Sequence, residues 1–369
     1  MIVILGAGYA GAATAWALAR RGHGSRVTLL DSEPTTGRHA SGRNAGLIAP
    51  LLDEDLEMAS IAERGASALS RLPVFSRCGS LRLTHDEATI ASVRDRARTL
   101  GASVEVLRTS EVTASHALLE GAATPWALRF PDDGVIDPPE LLDHYLAEAR
   151  ARGVRVLTGV RATGLAFSCA RLSGVETSEG RIRGDWVVDA AGAWAGEVAR
   201  TLSGGELDAL GLRPTRRHLF FTRPGNGHDP ASPFLWDMSH NVYVRVLRDR
   251  LMLCPCDEET HAAAPPDVSP EALPDLSRRL GAAFPAAAAF EVDEGRACLR
   301  TFAPDRRYVI GPDARLPGFF WVAGLGGSGA TAGAAIGELA ADLLLTGGLG
   351  GEDWTKEAAR WFDPARLVR

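Results

Sequence analysis

The apolar positions of this chain fall into runs of two kinds. Ile2 to Leu5 is a continuous apolar run of strand length, read as a buried parallel strand. Ala12 to Arg21 is alanine-rich and reads as a helix, and Arg26 to Leu30 as a second strand that ends in Asp31. Later segments repeat this texture. Val154 to Leu157 and Asp185 to Asp189 read as strands, and so does Phe319 to Ala323, with a helix following over Ala330 to Leu345. Elsewhere the pattern alternates. Ser80 to Thr84, Leu212 to Thr222, Val242 to Leu247 and Arg250 to Cys254 predict half-buried strands of a largely antiparallel sheet. Leu172 to Thr177 with Arg181 to Arg183 suggests a hairpin. Helical spacing marks Leu56 to Leu72, Asp86 to Leu100, Glu140 to Arg152 (after Pro138-Pro139) and Pro270 to Phe284. The tail from Gly347 reads as peripheral.

These textures predict an α/β chain: a Rossmann-like domain interrupted by an α+β domain built on an antiparallel sheet. The boundaries read as 1–74, 138–206 and 295–369 for the first, and 75–137 and 207–294 for the second. At 369 residues the chain is long enough for two sizeable cores.

The first turn carries specific chemistry. Gly6-Ala7-Gly8-Tyr9-Ala10-Gly11 joins a strand to a helix, and Asp31 stands about 20 residues further on. Gly6 allows the turn, Gly8 lets a phosphate approach the backbone, and Gly11 lets helix and strand pack closely. The helix N-terminus supplies the anion site, and the Asp31 carboxylate suits two ribose hydroxyls. The pattern predicts a bound dinucleotide.

Composition narrows the partners. A net charge of −6 argues against nucleic acid. The five cysteines (Cys78, Cys169, Cys254, Cys256, Cys298) are odd in number and scattered, so no disulfide framework is implied. Cys254-Pro255-Cys256 has no accompanying Cys/His pair, and no metal is expected. The apolar stretch Phe319 to Leu345 is broken by glycines and Glu338, so no membrane span is expected. The nucleotide motif occupies the N-terminus, leaving no signal peptide, and a cytoplasmic protein is expected.

Five segments in order carry a family likeness: GAGYAGAATAWALARRG with Asp31, HASGRNAGL (His39 to Leu47), VVDAAGAWA (Val187 to Ala195), CLRTFAPDRRYVIG (Cys298 to Gly311) and FFWVAGLGGSGATAGAAIGELAADLL (Phe319 to Leu344). The chain resembles the D-amino-acid oxidase/glycine oxidase superfamily of FAD-dependent enzymes. Its nearest branch is D-arginine dehydrogenase-like, through Leu212 to Phe221 and the Tyr243 strand. The resemblance implies FAD lying extended over Gly6, Gly8 and Gly11. Ser41, Gly42, Arg43 and Asn44 would lie near the pyrophosphate and flavin edge, Val160 at the adenine and Gly192 close against the cofactor. Gly324, Gly326, Gly327, Ser328, Gly329, Ala330 and Thr331 would set N–H groups and a helix N-terminus beside the flavin pyrimidine oxygen. Cys298 matches the cysteine that carries FAD covalently in monomeric sarcosine oxidase and pipecolate oxidase, whereas the nearest branch holds FAD without a covalent bond. Both readings stay open.

For the substrate, the resemblance implies Arg300 as the carboxylate-binding guanidinium, Arg217 as a second arginine and Tyr243 as a hydroxyl reaching the carboxylate. The branch has a histidine where this chain has Leu47, so the pocket is more apolar there and D-arginine itself is in doubt. The implied reaction is oxidation of the C–N bond of an amino acid or amine. Hydride passes from Cα–H to flavin N5, and the imine hydrolyses to a 2-oxo acid. Two alternatives share the scaffold: oxidation of a 2-hydroxy acid or related C–OH compound, and a non-catalytic flavoprotein subunit. The electron acceptor (dioxygen, a quinone or a protein) stays open, as do stereochemistry and oligomeric state.

Overall fold

A computed structural model describes residues 1–225 and 227–368. One sheet has six strands, in the order Val309–Pro312, Phe319–Ala323, Trp186–Asp189, Ile2–Leu5, Val27–Asp31 and Arg155–Thr158. All neighbours are parallel except the first pair. Such a sheet must be covered on both faces. Ile2 and Ile4 join the core beneath the helices Tyr9–Arg20, Pro138–Ala151 and Gly329–Leu345. Val3 and Leu5 face the other way, onto the antiparallel strands Ala162–Ser168 and Arg171–Thr177 and the helix Ala195–Leu202. The predicted hairpin is present and gains Ala162–Ser168 as a third strand.

The second sheet has nine strands. Eight run in the order Glu259–Thr260, Arg213–Thr222, Leu251–Cys254, Val242–Val246, Phe234–Asp237, Ser80–Thr84, Trp126–Phe130 and Glu105–Arg108. The ninth, Val292–Phe302, pairs antiparallel along Arg213–Thr222. Phe234–Asp237 beside Ser80–Thr84 is the parallel exception. The helix Ala272–Ala283 covers this sheet through Leu276, Leu280 and Ala283.

Most predicted elements appear with ends moved by a few residues. Asp86 and Asp137 cap the helices Glu87–Leu100 and Pro138–Ala151 by accepting from first-turn N–H groups. The tail is less peripheral than its sequence suggested. Asp353–Phe362 forms a helix whose Ala358 and Phe362 join the main core, with the Phe362 ring 5.2 Å from that of Tyr308. Among the described residues, no helix is long and apolar enough to cross a membrane.

Candidate active site

The two sheets meet at a cavity of about 640 Å³. Its floor is the first turn. Gly6 has φ +99°, and a Cβ there would sit 2.6 Å from the Ala190 carbonyl oxygen. A Cβ at Gly11 would lie 2.0 Å from the Gly6 carbonyl oxygen, so the helix is pressed onto the turn. The helix Tyr9–Arg20 begins at Gly8 without a side-chain cap. The helix Gly329–Leu345 begins likewise at Ser328, so two uncapped helix N-termini open at this cavity. Both are partly positive and suited to anionic oxygens. Arg43 adds a guanidinium to the same wall.

Asp31 is engaged within the protein. Its Oδ2 accepts from Ala7 N–H and its Oδ1 from Glu33 N–H, each at 2.9 Å, which fastens the turn to the second strand. Each oxygen keeps a lone pair for a hydroxyl. Ser41 Oγ accepts from Tyr9 N–H at 2.9 Å and so ties the Ser/Gly/Arg loop to the helix start.

Of the residues singled out in the sequence, Gly6, Gly8, Asp31, Ser41, Arg43, Asn44, Val160, Gly192, Cys298, Gly324, Gly326, Gly327, Gly329 and Ala330 line the cavity, together with Arg217, Tyr243 and Arg300. Gly11, Gly42, Ser328 and Thr331 stand behind it. Gly42 packs on Gly37, Ser328 Oγ donates to Asp53, and Thr331 Oγ1 donates to the Leu47 carbonyl. Sequence reasoning missed Glu33, His39 and Trp194. His39 lies 3.0 Å from Glu33 and its ring centroid is 4.5 Å from that of Trp194. Trp194 sits inside the quoted VVDAAGAWA segment, which was the available signal.

The other end of the cavity is set by strand register. Arg217 stands opposite Cys298, Leu219 opposite Arg296, and Thr215 opposite Arg300. Directly opposed residues share a face of an antiparallel pair. Alternation along each strand then turns Arg217, Leu219, Arg296, Cys298 and Arg300 toward the same cavity. Tyr243 joins them from Val242–Val246, packed against Trp236 with ring centroids 5.0 Å apart.

The arginines differ in their partners. Arg217 is buried and donates through Nη2 to Glu258 Oε1 at 2.9 Å; Arg306 holds the other Glu258 oxygen at 3.0 Å. Arg300 has no hydrogen bond or ion pair among the described residues, and its guanidinium rests against Gly327. Burial, and then the neighbouring Arg217 charge, lower its pKa. A desolvated cation beside another cation calls for an anion. Burial raises the Cys298 thiol, although Arg43, Arg296 and Arg300 all pull the other way.

A loop overhangs this end. Pro265 and Pro266 line the cavity, and His218 fixes the loop twice. Its Nδ1 lies 2.6 Å from Asp257 Oδ2, and its Nε2 accepts from Ser269 N–H at 2.9 Å. Because Ser269 N–H can only donate, the imidazole is held with its proton on Nδ1.

A cavity with two uncapped helix starts on its wall, a glycine lining and a guanidinium unpaired among the described residues suits a dinucleotide with a reactive ring. The comparisons agree. Residues 1–343 match the family described as DAO, FAD dependent oxidoreductase. L-proline dehydrogenase from P. horikoshii shares the fold with a TM-score of 0.88, over 99% of this chain and 97% of that one, at 21% identity. The mitochondrial pyruvate dehydrogenase phosphatase regulatory subunit of Mus musculus is 23% identical over 94% of this chain and 41% of its own length. Mitochondrial sarcosine dehydrogenase of Homo sapiens is 26% identical over 68% of this chain and 28% of its own length. The chain therefore spans less than half the length of either curated relative. On the match over residues 1–343, this chain belongs to the DAO family of FAD-dependent oxidoreductases.

Proposed function

We propose that the protein oxidises the C–N bond of an amino acid or a related amine that carries a carboxylate. The observation that carries this is Arg300, a guanidinium without an anion among the described residues, at the end of the cavity lined by Gly326 and Gly327. A substrate carboxylate would take both of its donors, which fixes the substrate's α-carbon in one orientation. FAD, when bound, supplies the acceptor for the hydride that leaves the α-carbon.

The chain's own residues favour the neutral amine. Two guanidiniums beside the substrate disfavour a nearby ammonium, so the bound amine loses its proton more readily than in water. Leu47 stands where the related branch has a histidine, and its backbone is tied to Thr331. The loop carrying Pro265 and Pro266 keeps bulk water from the reacting end. The imine product then hydrolyses to a 2-oxo acid. We place Ser41, Arg43, Gly192 and the Gly324 to Ala330 cluster along the dinucleotide, and Arg217 and Tyr243 with Arg300 around the substrate.

The test is an anaerobic panel of D-, L- and N-methyl amino acids and 2-hydroxy acids, read by loss of the flavin's visible absorbance. Bleaching by amino acids supports the proposal. Bleaching by hydroxy acids alone replaces it with C–OH oxidation. No bleaching with FAD bound replaces it with a non-catalytic role. Acid precipitation settles the tether separately: colour that stays with the pellet means a bond at Cys298, and colour released to the supernatant means none.

A further inference from the structure

The reacting end of the cavity is walled by cations. Arg217, Arg296 and Arg300 line it together. Among the described lining residues the carboxylates are Asp31 and Glu33, and both stand at the turn end, beside Gly6 and Gly8.

The acids behind this wall are each shared between two arginines. Glu258 pairs with Arg217 at 2.9 Å and with Arg306 at 3.0 Å. Glu294 pairs with Arg250 at 2.9 Å and with Arg296 at 2.6 Å. Each set therefore holds two positive charges against one negative. Arg300, with its guanidinium against Gly327, adds a further positive charge. Asp53 lies behind the glycine cluster, accepts from Ser328 Oγ at 3.0 Å, and is raised in pKa by burial, so it offsets little of this charge. One substrate carboxylate on Arg300 leaves a surplus, and a partly desolvated surplus of cations favours a second anion.

Arg296 is placed to take it. Arg296 and Arg300 are four residues apart on the strand Val292–Phe302 and face the same way, about 13 Å apart at Cα by strand rise. Arg217 stands between them on the facing strand, opposite Cys298. Arg296 donates through Nε to Glu294 Oε1, and its guanidinium carbon lies 4.6 Å from the centroid of the Phe221 ring. These two contacts fix the group while its terminal nitrogens have no partner among the described residues, so both remain for a ligand. Leu219 stands opposite Arg296 and lines the same wall, an apolar surface for the methylene groups between two carboxylates.

We propose that the substrate is a dicarboxylic amine, with one carboxylate on Arg300 and a second on Arg296, the second carried by the side chain or by a substituent on the nitrogen. This rests on the assignment of the first carboxylate to Arg300 and narrows the substrate class of that site. The same wall repels a cationic side chain.

Ligand binding to the FAD-loaded protein tests this without turnover. Glutarate and valerate are five-carbon acids with two carboxylates and one, and each is titrated by perturbation of the flavin spectrum. Glutarate should bind about tenfold more tightly or better, the worth of one charge-assisted hydrogen bond. Arg296→Met should bring the ratio near one, and Arg296→Glu should reverse it. Arg300→Met should weaken both ligands. Glutarate no tighter than valerate, or a preference that survives in Arg296→Met, overturns the proposal and leaves the Arg300 assignment standing. Undiminished valerate affinity in Arg300→Met overturns that assignment and the proposal with it. If Arg296→Met fails to fold, Arg296→Gln takes its place under the same expectations. Anaerobic bleaching by glutamate against glutamine, and by iminodiacetate against sarcosine, locates the second carboxylate. Faster bleaching by glutamate puts it on the side chain, and faster bleaching by iminodiacetate puts it on the nitrogen. Equal rates within both pairs overturn the proposal.

Discussion

Replacing Arg300 by Met should abolish most activity and cost no stability. In the structure its guanidinium is desolvated, unpaired among the described residues and close enough to Arg217 for that charge to lower its pKa. An isolated buried charge destabilises a fold, so a methionine of similar length is neutral or stabilising. On the proposed assignment, the same group would make two charge-assisted hydrogen bonds to a substrate carboxylate. At about 1.5–3 kcal/mol each, and with Arg217 able to replace part of them, the loss is roughly 3–4 kcal/mol, or about 10²–10³-fold in kcat/KM. Arg300→Lys keeps the charge but not the fork, and should recover about a tenfold part of that loss. The assay is steady-state kcat/KM with the best substrate of the anaerobic panel, alongside FAD content and thermal midpoint. Full FAD content, an unchanged or raised midpoint and the stated fall in kcat/KM are expected. A fall of less than about tenfold would refute the carboxylate assignment, and a large drop in midpoint would refute the claim that the guanidinium lacks a protein partner.

Three other perturbations have defined outcomes. Burial raises the Asp189 carboxyl to about 8, and its Oδ2 has no hydrogen-bond partner among the described residues, so the folded protein holds it neutral while the unfolded chain ionises near pH 4. Its folded pKa lies above the unfolded one, so its contribution is fully present below about pH 4 and is lost as pH rises toward 8. Asp189→Asn should therefore raise the urea midpoint at about pH 8 and change it little at about pH 4; equal shifts at both pH values would contradict the buried neutral acid. Gly11→Ala places a Cβ 2.0 Å from the Gly6 carbonyl oxygen and 3.1 Å from Ile4 Cγ2, so the purified protein should be destabilised and poor in FAD; normal FAD stoichiometry would show that the helix can give way. His218→Phe removes the two imidazole ties of the overhanging loop and leaves the Glu259–Thr260 strand pairing and the Arg216 bond to the Asp267 carbonyl, so limited proteolysis between residues 261 and 269 should accelerate; an unchanged cleavage rate would mean that those remaining ties hold the loop.

The sequence made the nucleotide end legible because its constraints are local. Gly6 needs a positive φ and Gly11 needs to lack a Cβ, and both demands are written within six residues. Arg300 and Arg217 were visible as residues, and alternation along their strands turns them to one cavity. Their unequal pairing was not visible, because Glu258 reaches Arg217 from a loop some 40 residues away. The same holds for Tyr243 and Cys254, which meet only through the register of adjacent strands. Cys254-Pro255-Cys256 stood out as a metal candidate without a second pair of ligands; its use as a hydrogen-bond acceptor depends on a backbone turn that no spacing reports. The tail helix was missed because it is short and follows a glycine-rich stretch, although Trp354, Ala358, Ala359, Trp361 and Phe362 all pack on the core.

The most direct measurement is a crystal structure of the FAD-loaded protein with benzoate. The account predicts FAD stretched from the Gly6–Gly8 turn to the Gly324–Gly327 cluster, and the benzoate carboxylate held by both terminal nitrogens of Arg300. FAD lying elsewhere, or Arg300 turned to solvent with benzoate bound away from it, would contradict it.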